Sequence, residues 1–310
     1  MINKKDLIYV AGHKGMIGSA IIRKLKKKGY INLIYRTRKQ LDLLGAKETY
    51  KFLLKYKPKF IFIAAAKVGG ILHNSNHSAD FIFENLSIQN NLIHGAYKAK
   101  INNLIFLGSS CIYPKNCKQP MNENDMLTGK LEPTNEAYAT AKIAGIKMCE
   151  SYNKQYNTNY KCLMPTNAFG PNDNYDPLNS HFIPALIRKL HIIKVSKTKK
   201  KLVIWGNGKA KREIIHSDDI ADACVFFMNK KKIPNLINIG TGKEYSIEQY
   251  AKIFSKYLNV NPKIIFDKSK PNGMKRKVMN ISLAKKFGWT SKKSIKEAVV
   301  STYRSYLNEK

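Results

Sequence analysis

The stretch "LIYVAGHKGMIG", residues 7–18, decides the fold class. It opens with a run of strand-forming residues, and Gly12, Gly15 and Gly18 then follow at three-residue spacing. A helical pattern starts at Met16. Glycines permit a tight turn and the close approach of a pyrophosphate, which the N-terminus of a helix favours. The stretch therefore predicts a dinucleotide-binding strand, loop and helix; the other interpretation is that the glycines only let the helix pack on the strand.

Strand-like and helix-like segments alternate outward from this stretch. Predicted strands cover residues 7–11, 32–35, 60–66, 103–107 and 161–164, and predicted helices cover residues 16–28, 46–55, 80–98 and 136–156. This alternation predicts an α/β fold, a Rossmann-like doubly wound parallel sheet with helices on both faces.

The character of the chain changes after about residue 170. A polar, loop-like segment covers residues 170–184, and it is followed by a predicted helix (185–193), a basic linker (194–201) and a strand (202–205). We expect residues 1–172 to form the nucleotide-binding Rossmann domain and residues 173–310 a smaller α/β substrate-binding domain. Part of the second region, residues 214–242, is expected to return to the first sheet, because "LINIGTG" (236–242) has the pattern of a late strand.

The net charge of +34 is extreme, with 55 Lys and Arg against 21 Asp and Glu. It suggests either nucleic-acid binding or a general excess of lysine in a Lys-, Ile- and Asn-rich chain. We favour the second interpretation, since the lysines are spread along the chain and no nucleic-acid-binding motif accompanies them. The charge would still attract an anionic substrate.

No apolar run approaches the roughly 18–20 residues that a membrane span requires. The N-terminus passes from "MINKKD" directly into the first strand, without the layout of a signal peptide, so we expect a cytoplasmic protein. Five scattered cysteines without a CxxC pair argue against a disulfide scaffold or a metal site. They are Cys111, Cys117, Cys149, Cys162 and Cys224, and most are expected to be buried as small apolar residues.

The second predicted strand indicates which dinucleotide is bound. An NAD enzyme usually has Asp or Glu here for the ribose 2′-hydroxyl, whereas "NLIYRTRKQ" (32–40) has Arg36 and Arg38. Arginine suits a 2′-phosphate, so NADP(H) is favoured over the alternative of two ordinary surface arginines. Asp42 and Leu43 then lie where the chain can line the adenine pocket.

The helical stretch "NEAYATAKIAG" (135–145) places Tyr138 and Lys142 four residues apart, on one face. A nearby ammonium is expected to lower the pKa of a phenol, which would let Tyr138 exchange protons near neutral pH. Lys142 could also hold a ribose hydroxyl of the nicotinamide. Ser109 stands just beyond the strand 103–107. Such a Tyr-x-x-x-Lys pattern is weak alone and gains weight downstream of a dinucleotide loop.

Ser109, Tyr138 and Lys142 resemble the catalytic triad of the extended short-chain dehydrogenase/reductase family. Further segments resemble the GDP-L-fucose synthase family within it: "AAAKVGGI" (64–71), "GSSCIYPK" (108–115), "MPTNAFGPNDN" (164–174) and "FDKSKPNGMKRK" (266–277). The resemblance implies an NADPH-dependent enzyme that epimerises C3 and C5 of GDP-4-keto-6-deoxy-D-mannose and reduces C4, giving GDP-L-fucose. It also implies a homodimer formed through the helix that carries Tyr138 and the helix before it.

By this resemblance, Cys111 and His181 are the acid/base pair for epimerisation. Modest tuning would let both titrate near pH 7. The spacing of two between Ser109 and Cys111 predicts, for an extended segment, side chains on the same side. Core packing for Cys111 and an ordinary loop position for His181 are the alternatives. Cys117 is a weaker candidate thiol, and His13 is expected to shape the phosphate turn.

The resemblance also assigns binding residues. Those expected to bind the cofactor are Gly12, His13, Lys14, Gly15, Met16, Ile17, Gly18, Arg36, Arg38, Asp42, Leu43, Leu107, Gly108, Ser109, Ser110, Lys142, Pro165, Thr166, Asn167, Ala168 and His181. Those expected to bind the GDP-sugar are Lys189, Trp205, Arg212, Asn272 and Lys277.

Three positions depart from the family pattern. Lys189 replaces an arginine, Ala168 lies in "TNAFG" where "TNLYG" is typical, and Asn272 replaces an acid. These departures leave open a C4 reductase of a related GDP-4-keto sugar, such as a 6-deoxyheptose. A 4-epimerase with bound NAD is disfavoured by the two arginines after the second strand. A nucleic-acid-binding relative is disfavoured by the intact catalytic set.

Overall fold

A computed structural model describes residues 2–177, 180–196, 200–231, 233–270 and 274–308, with the side chain of Leu72 left out. Its strands are β1 (Ile8–Ala11), β2 (Leu33–Ile34), β3 (Phe60–Ile63), β4 (Asn103–Leu107), β5 (Asn159–Pro165), β6 (Asn167–Phe169), β7 (Lys201–Trp205), β8 (Lys211–His216), β9 (Leu236–Ile239), β10 (Glu244–Ser246), β11 (Lys263–Asp267) and β12 (Arg276–Lys277).

The helices of the described residues are α1 (Met16–Lys27), α2 (Ala46–Tyr56), α3 (Ile71–Asn76), α4 (Ser78–Lys98), α5 (Glu136–Tyr156), α6 (Phe182–Val195), α7 (Ser217–Met228), α8 (Ile247–Tyr257), α9 (Ser282–Lys286) and α10 (Ile295–Asn308). Short 3-10 turns cover Ser110–Ile112, Glu123–Asp125 and Pro133–Asn135.

Six parallel strands form the main sheet, in the order β2-β1-β3-β4-β5-β9. The strands β1 and β3 read "IYVA" and "FIFI", and all their residues are buried. Continuous apolar runs of this kind are expected of strands covered on both faces. Alternate strand residues belong to two cores: one is shared with α2, α4 and α5, and the other with α1, α7 and α9. The predicted doubly wound parallel sheet is thus confirmed.

The order of the strands reverses between β1 and β3, which opens a crevice at the carboxyl ends of these strands. The remaining strands form smaller sheets beside it. One has the order β10-β8-β12, with β6 also paired to β8, and the other pairs β11 with β7. A third core joins α6, α8 and α10 to β7.

The predicted late strand is β9, which pairs with β5 from Cys162↔Leu236 to Pro165↔Ile239. The division of the chain near residue 172 stays a prediction. No helix in the described ranges is long and apolar enough to cross a membrane.

Several predicted boundaries were wrong. The strand β2 has only two residues, and β3 ends at Ile63 because the following chain leaves the sheet toward the glycines 69–70. The helix α6 begins at Phe182 and not at 185, since Pro184 fits the first turn, where no intrahelical N–H is needed. The short helix α3 was not predicted, because its polar sequence "ILHNSN" lacks an apolar periodicity. Part of the predicted basic linker, residues 197–199, lies outside the described residues.

Candidate active site

The glycine loop at the end of β1 leaves open space at the start of α1. Gly12 has φ +83°, and a Cβ there would lie 2.6 Å from the backbone nitrogen of Ala65. A Cβ on Gly18 would clash with the Gly12 carbonyl oxygen. A Cβ on Gly15 would meet only that oxygen, at 3.5 Å, so this N-cap position faces open space. The free N–H groups of the first turn of α1 therefore border a cradle that fits a dinucleotide diphosphate.

The chain after β2 provides the cations beside this loop. Arg36 is packed: its guanidinium donates to the Tyr35 carbonyl at 2.9 Å and to the Tyr56 hydroxyl at 3.1 Å. The Arg38 side chain is 68% exposed, 3.4 Å from Asp42 and 3.9 Å from Glu84. Arg38 is thus the freer of the two cations.

The His13 ring forms the edge of the loop. It stacks on Tyr35, with ring centroids 4.6 Å apart. Partial burial and the adjacent Lys14 ammonium lower the pKa of His13, so its ring is neutral at pH 7.

The end of β4 and the first turns of α5 bring together Ser109, Tyr138 and Lys142. The Lys142 ammonium donates to the Leu107 carbonyl at 2.9 Å and lies 5.7 Å from the centroid of the Tyr138 ring. A hydrogen bond from Ser109 favours the ionised form of Tyr138. The two hydroxyls therefore lie within hydrogen-bond reach of each other at the end of β4, where both could donate to an oxygen on a substrate carbon.

The expectation that Lys142 would lower the pKa of Tyr138 is wrong. Desolvation raises the pKa of Tyr138 well above 10, and Cys111 adds to the increase. The Lys142 ammonium donates to the Leu107 carbonyl and lies 5.7 Å from the centroid of the Tyr138 ring, and desolvation of the phenol outweighs the charge of the ammonium. Burial lowers the pKa of Lys142 to about 8. Tyr138 is therefore held protonated, as a proton donor.

The segment after Ser109 is also not extended as expected. Ser109 is the N-cap of the 3-10 turn Ser110–Ile112, and its hydroxyl oxygen accepts from the Cys111 N–H at 3.4 Å. This side-chain cap replaces a strand hydrogen bond and turns the chain, so the two-residue alternation of a strand does not apply. The turn nevertheless brings Cys111 near Ser109 and Tyr138. A hydrogen bond with Ser109 lowers the pKa of Cys111, and Cys111 in turn raises the pKa of Tyr138.

The charge of the Lys277 ammonium acts on both Cys111 and His181. Burial raises the pKa of the Cys111 thiol, and the nearby Lys277 opposes this increase. Desolvation and the Lys277 charge lower the pKa of His181, the N-cap of α6. His181 is nevertheless exposed, which leaves its ring open to a ligand. We call the space beside His181 and Cys111 the cleft. The expectation that both groups would titrate near pH 7 is wrong, because burial moves the two pKa values apart: at pH 7 they are a neutral thiol and a neutral imidazole.

Arg212 and Lys277 form a cationic pair beside this cleft. They are directly opposite each other in the β8–β12 register. Arg212 donates to the carbonyl of Met274 at 2.6 Å, and desolvation lowers the pKa of both cations. Two adjacent cations of this kind suit a diphosphate.

The other residues predicted to bind the GDP-sugar form a second group. Lys189 on α6 donates to the carbonyl of Val203, a residue of β7, at 2.9 Å. Trp205 is the last residue of β7 and is 50% exposed. Asn272 lies outside the described residues.

The predicted nicotinamide segment follows β5. The Asn167 side chain donates to the main-chain carbonyl of Glu213 at 2.7 Å, and Thr166 donates to the same oxygen at 3.4 Å. Gly108 packs against the Met164 side chain, where a Cβ would clash. Sequence reasoning missed Glu213, a fully buried acid; its only signal was a carboxylate inside the otherwise apolar half of "KREIIH".

The geometry is that of a nicotinamide-dependent enzyme, and comparison with known proteins agrees. Residues 8–240 match the model of the NAD dependent epimerase/dehydratase family. The chain belongs to this epimerase/dehydratase family. Its relatives include a putative GDP-L-fucose synthase 2 from Arabidopsis thaliana, 47% identical over 99% of this chain and 93% of the relative. The GDP-L-fucose synthase of Escherichia coli K12 is 44% identical over 98% of this chain and 97% of its own.

A solved member with a different substrate is also similar. It is a GDP-mannoheptose C4 reductase from Campylobacter jejuni with NADP bound, 35% identical, with a TM-score of 0.90 over 99% of this chain and 100% of that one. The resemblance to GDP-L-fucose synthases inferred from short motifs is thus confirmed across the whole chain.

Proposed function

We propose that this epimerase/dehydratase family member converts GDP-4-keto-6-deoxy-D-mannose to GDP-L-fucose, by epimerisation at C3 and C5 and NADPH-dependent reduction at C4. The observation that carries the proposal is Cys111, hydrogen-bonded to Ser109 beside the Tyr138–Lys142 pair, with His181 under the influence of the same Lys277 charge. A pure reductase needs only Ser109, Tyr138 and Lys142. Identity of 44–47% to GDP-L-fucose synthases over nearly the whole chain supports the substrate.

Epimerisation uses the carbonyl of the sugar at C4, which acidifies the hydrogens on C3 and C5. The neutral His181 imidazole can take a proton from one face, and the Cys111 thiol can return one to the opposite face. The Ser109 and Tyr138 hydroxyls, donating to the C4 oxygen, stabilise the negative charge that develops there. After one epimerisation His181 is protonated and Cys111 is a thiolate, and exchange of protons with solvent restores the neutral pair. The same four residues can then act at C5 if the sugar shifts between the two steps.

Reduction at C4 uses the same two hydroxyls. When bound, NADPH supplies the hydride. Tyr138 then gives its proton to the C4 oxygen. Its raised pKa keeps the phenol protonated until this step. The Tyr138 phenolate that results can accept from Ser109, whose hydrogen bond favours the ionised form.

The assignment of NADPH rests on the open cradle at Gly15 and on Arg38, whose side chain is exposed and lies 3.4 Å from Asp42 and 3.9 Å from Glu84. Replacing Arg38 with alanine should weaken NADPH binding by about 10- to 100-fold, the range of a charge-assisted hydrogen bond, and leave NADH binding unchanged. Titration of both cofactors by calorimetry measures this. Arg304→Ala, which removes an exposed arginine of α10, is the control. If Arg38→Ala weakens the binding of NADPH and NADH equally, Arg38 does not bind the 2′-phosphate.

The pKa shifts of the acid/base pair predict a broad pH profile for proton exchange at C3 and C5. His181 must be neutral and has a pKa below 6.5, and Cys111 must be a thiol and has a pKa above 9.0. Exchange should be level between these pH values, decrease on the acid side as His181 is protonated, and decrease on the alkaline side as Cys111 ionises. Deuterium incorporation without NADPH measures the profile. A narrow maximum near pH 7 would contradict these assignments.

Reduction of a related GDP-4-keto sugar is the second candidate function. The C. jejuni heptose reductase favours it, as does the small Ala168 side chain beside the nicotinamide segment. Product identification separates the two candidates. GDP-4-keto-6-deoxy-D-mannose and NADPH should yield GDP-L-fucose, and a reduced but unepimerised sugar would favour the second candidate.

The proposal includes a homodimer formed through α4 and α5 and a cytoplasmic location. Large apolar side chains are exposed on both helices, Phe83 on α4 and Tyr156 on α5. The cysteines are free thiols, as in a reducing compartment. Sedimentation at the mass of a single chain would contradict the dimer, and recovery of the enzyme outside the cytoplasmic fraction would contradict the location.

A further inference from the structure

We propose that Glu213 is a positioning residue for the substrate-side cations Arg212 and Lys277, because its carboxylate binds three backbone N–H groups of the chain next to them. This inference rests on the proposed binding of a GDP-sugar diphosphate by those two cations. Glu213 touches neither of the predicted ligands in our assignment, so it acts through the chain that it holds.

The carboxylate of Glu213 is fully buried and bound from two directions. Its Oε1 accepts from the Thr241 N–H at 2.6 Å and from the Gly242 N–H at 2.7 Å. Its Oε2 accepts from the Met279 N–H at 2.8 Å. A Cβ on Gly240 would clash with the Oε1 atom, so the loop after β9 is pressed against the carboxylate. Backbone N–H groups, and not a cation, stabilise this buried acid.

These contacts set the position of β12. That strand is only two residues long, and its register with β8 consists of Arg276↔Lys211 and Lys277↔Arg212. Met279 lies two residues beyond Lys277, and Glu213 follows Arg212. The hydrogen bond from the Met279 N–H to Glu213 therefore ties the chain after β12 to β8. Other contacts also hold this segment: the Lys275 carbonyl accepts from the Lys211 N–H at 2.9 Å, and Val278 is bonded to Gln119 and Met121. The Met279 bond is the one that joins the chain beyond β12 to the residue next to Arg212. A carboxylate is required here because both of its oxygens accept at once.

The main-chain carbonyl of Glu213 contacts the part of the site that is predicted to bind the cofactor. It accepts from the Asn167 and Thr166 side chains, in the segment predicted to line the nicotinamide. A side-chain substitution leaves this carbonyl in place. Disturbing the carboxylate should therefore affect the GDP-sugar and spare the cofactor, which a general loss of structure would not do.

The variant Glu213→Gln tests the inference because one carboxylate oxygen becomes an NH₂ group that must face backbone N–H donors. By calorimetry, the affinity for GDP should fall at least about tenfold, while the affinity for NADP⁺ should stay within about threefold of the wild-type value. In turnover, the KM for the GDP-sugar should rise more than kcat falls. If Glu213→Gln does not fold, Glu213→Asp keeps the charge but withdraws it from Met279 and should show the same separation.

The matched control is Asp219→Asn. Asp219 is also buried, and its carboxylate accepts from the backbone N–H groups of Lys292 and Lys293 at 3.0–3.3 Å, away from the cleft. This variant should lose thermal stability without losing affinity for GDP. Equal loss of GDP and NADP⁺ binding in Glu213→Gln, or GDP binding no weaker than in Asp219→Asn, would overturn the inference. Absence of GDP binding by the wild-type enzyme would instead overturn the proposed function on which it rests.

Discussion

Replacing Cys111 with serine should lower the rate of epimerisation at C3 and C5 by about 10²- to 10⁴-fold, the usual contribution of a general acid or base. Serine has nearly the same shape and keeps the 3-10 turn that Ser109 caps. Its hydroxyl is a far weaker acid than a thiol, so it cannot return a proton to the sugar at a useful rate. Reduction at C4 and NADPH binding should remain, since Ser109, Tyr138 and Lys142 are intact.

The measurement for Cys111→Ser is deuterium incorporation into the sugar in D₂O, followed by NMR. Cys117→Ser is the matched control, because Cys117 is six residues away, half-buried and also free. It should exchange at the wild-type rate. If Cys111→Ser produces the same product as the wild-type enzyme at the same rate, Cys111 is a packing residue and has no catalytic role.

Replacing Tyr138 with phenylalanine should have the complementary effect. Reduction at C4 should fall by about 10²- to 10⁴-fold, because the only group expected to give a proton to the C4 oxygen is lost. Exchange at C3 and C5 should persist at a reduced rate, since Ser109 can still donate to the C4 oxygen. Oxidation of NADPH, followed by absorbance, and deuterium exchange report the two activities separately.

Tyr160→Phe is the control for this variant. Tyr160 is also a buried tyrosine, and its hydroxyl donates to the Ile101 carbonyl at 3.0 Å, in the core behind the sheet. It should leave both activities unchanged. Wild-type reduction by Tyr138→Phe, or an equal loss of reduction and exchange, would contradict the role given to Tyr138.

Much of the fold could be predicted because local patterns and the packing of the sheet agree. The strands β1 and β3 are continuous apolar runs, and each helix between them has one buried face. The predicted boundaries of strands and helices were wrong where a single residue changes the local energetics without changing the apolar pattern of the sequence. Pro184 was placed at the end of the predicted loop 170–184 but lies in the first turn of α6, and Ser109 ends the extended segment by capping a turn.

The candidate site was only partly predictable for a different reason. The glycine loop and the Tyr138–Lys142 spacing are local features, whereas His181 and Lys277 meet Cys111 only through tertiary structure, and they were assigned from resemblance. The direction of the pKa shifts depends on desolvation, which no sequence pattern reports. That is why the expected effect of Lys142 on Tyr138 was wrong. Glu213 was missed because its hydrogen bonds go to backbone groups that any residue provides.

The most direct test of the central claim is the reaction of the wild-type enzyme with GDP-4-keto-6-deoxy-D-mannose and NADPH in D₂O. Two-dimensional NMR of the product identifies the configuration and the deuterium content at each carbon. The proposed mechanism predicts GDP-L-fucose with solvent deuterium at both C3 and C5. A C4-reduced sugar that retains the manno configuration and carries no deuterium at C3 or C5 would contradict it.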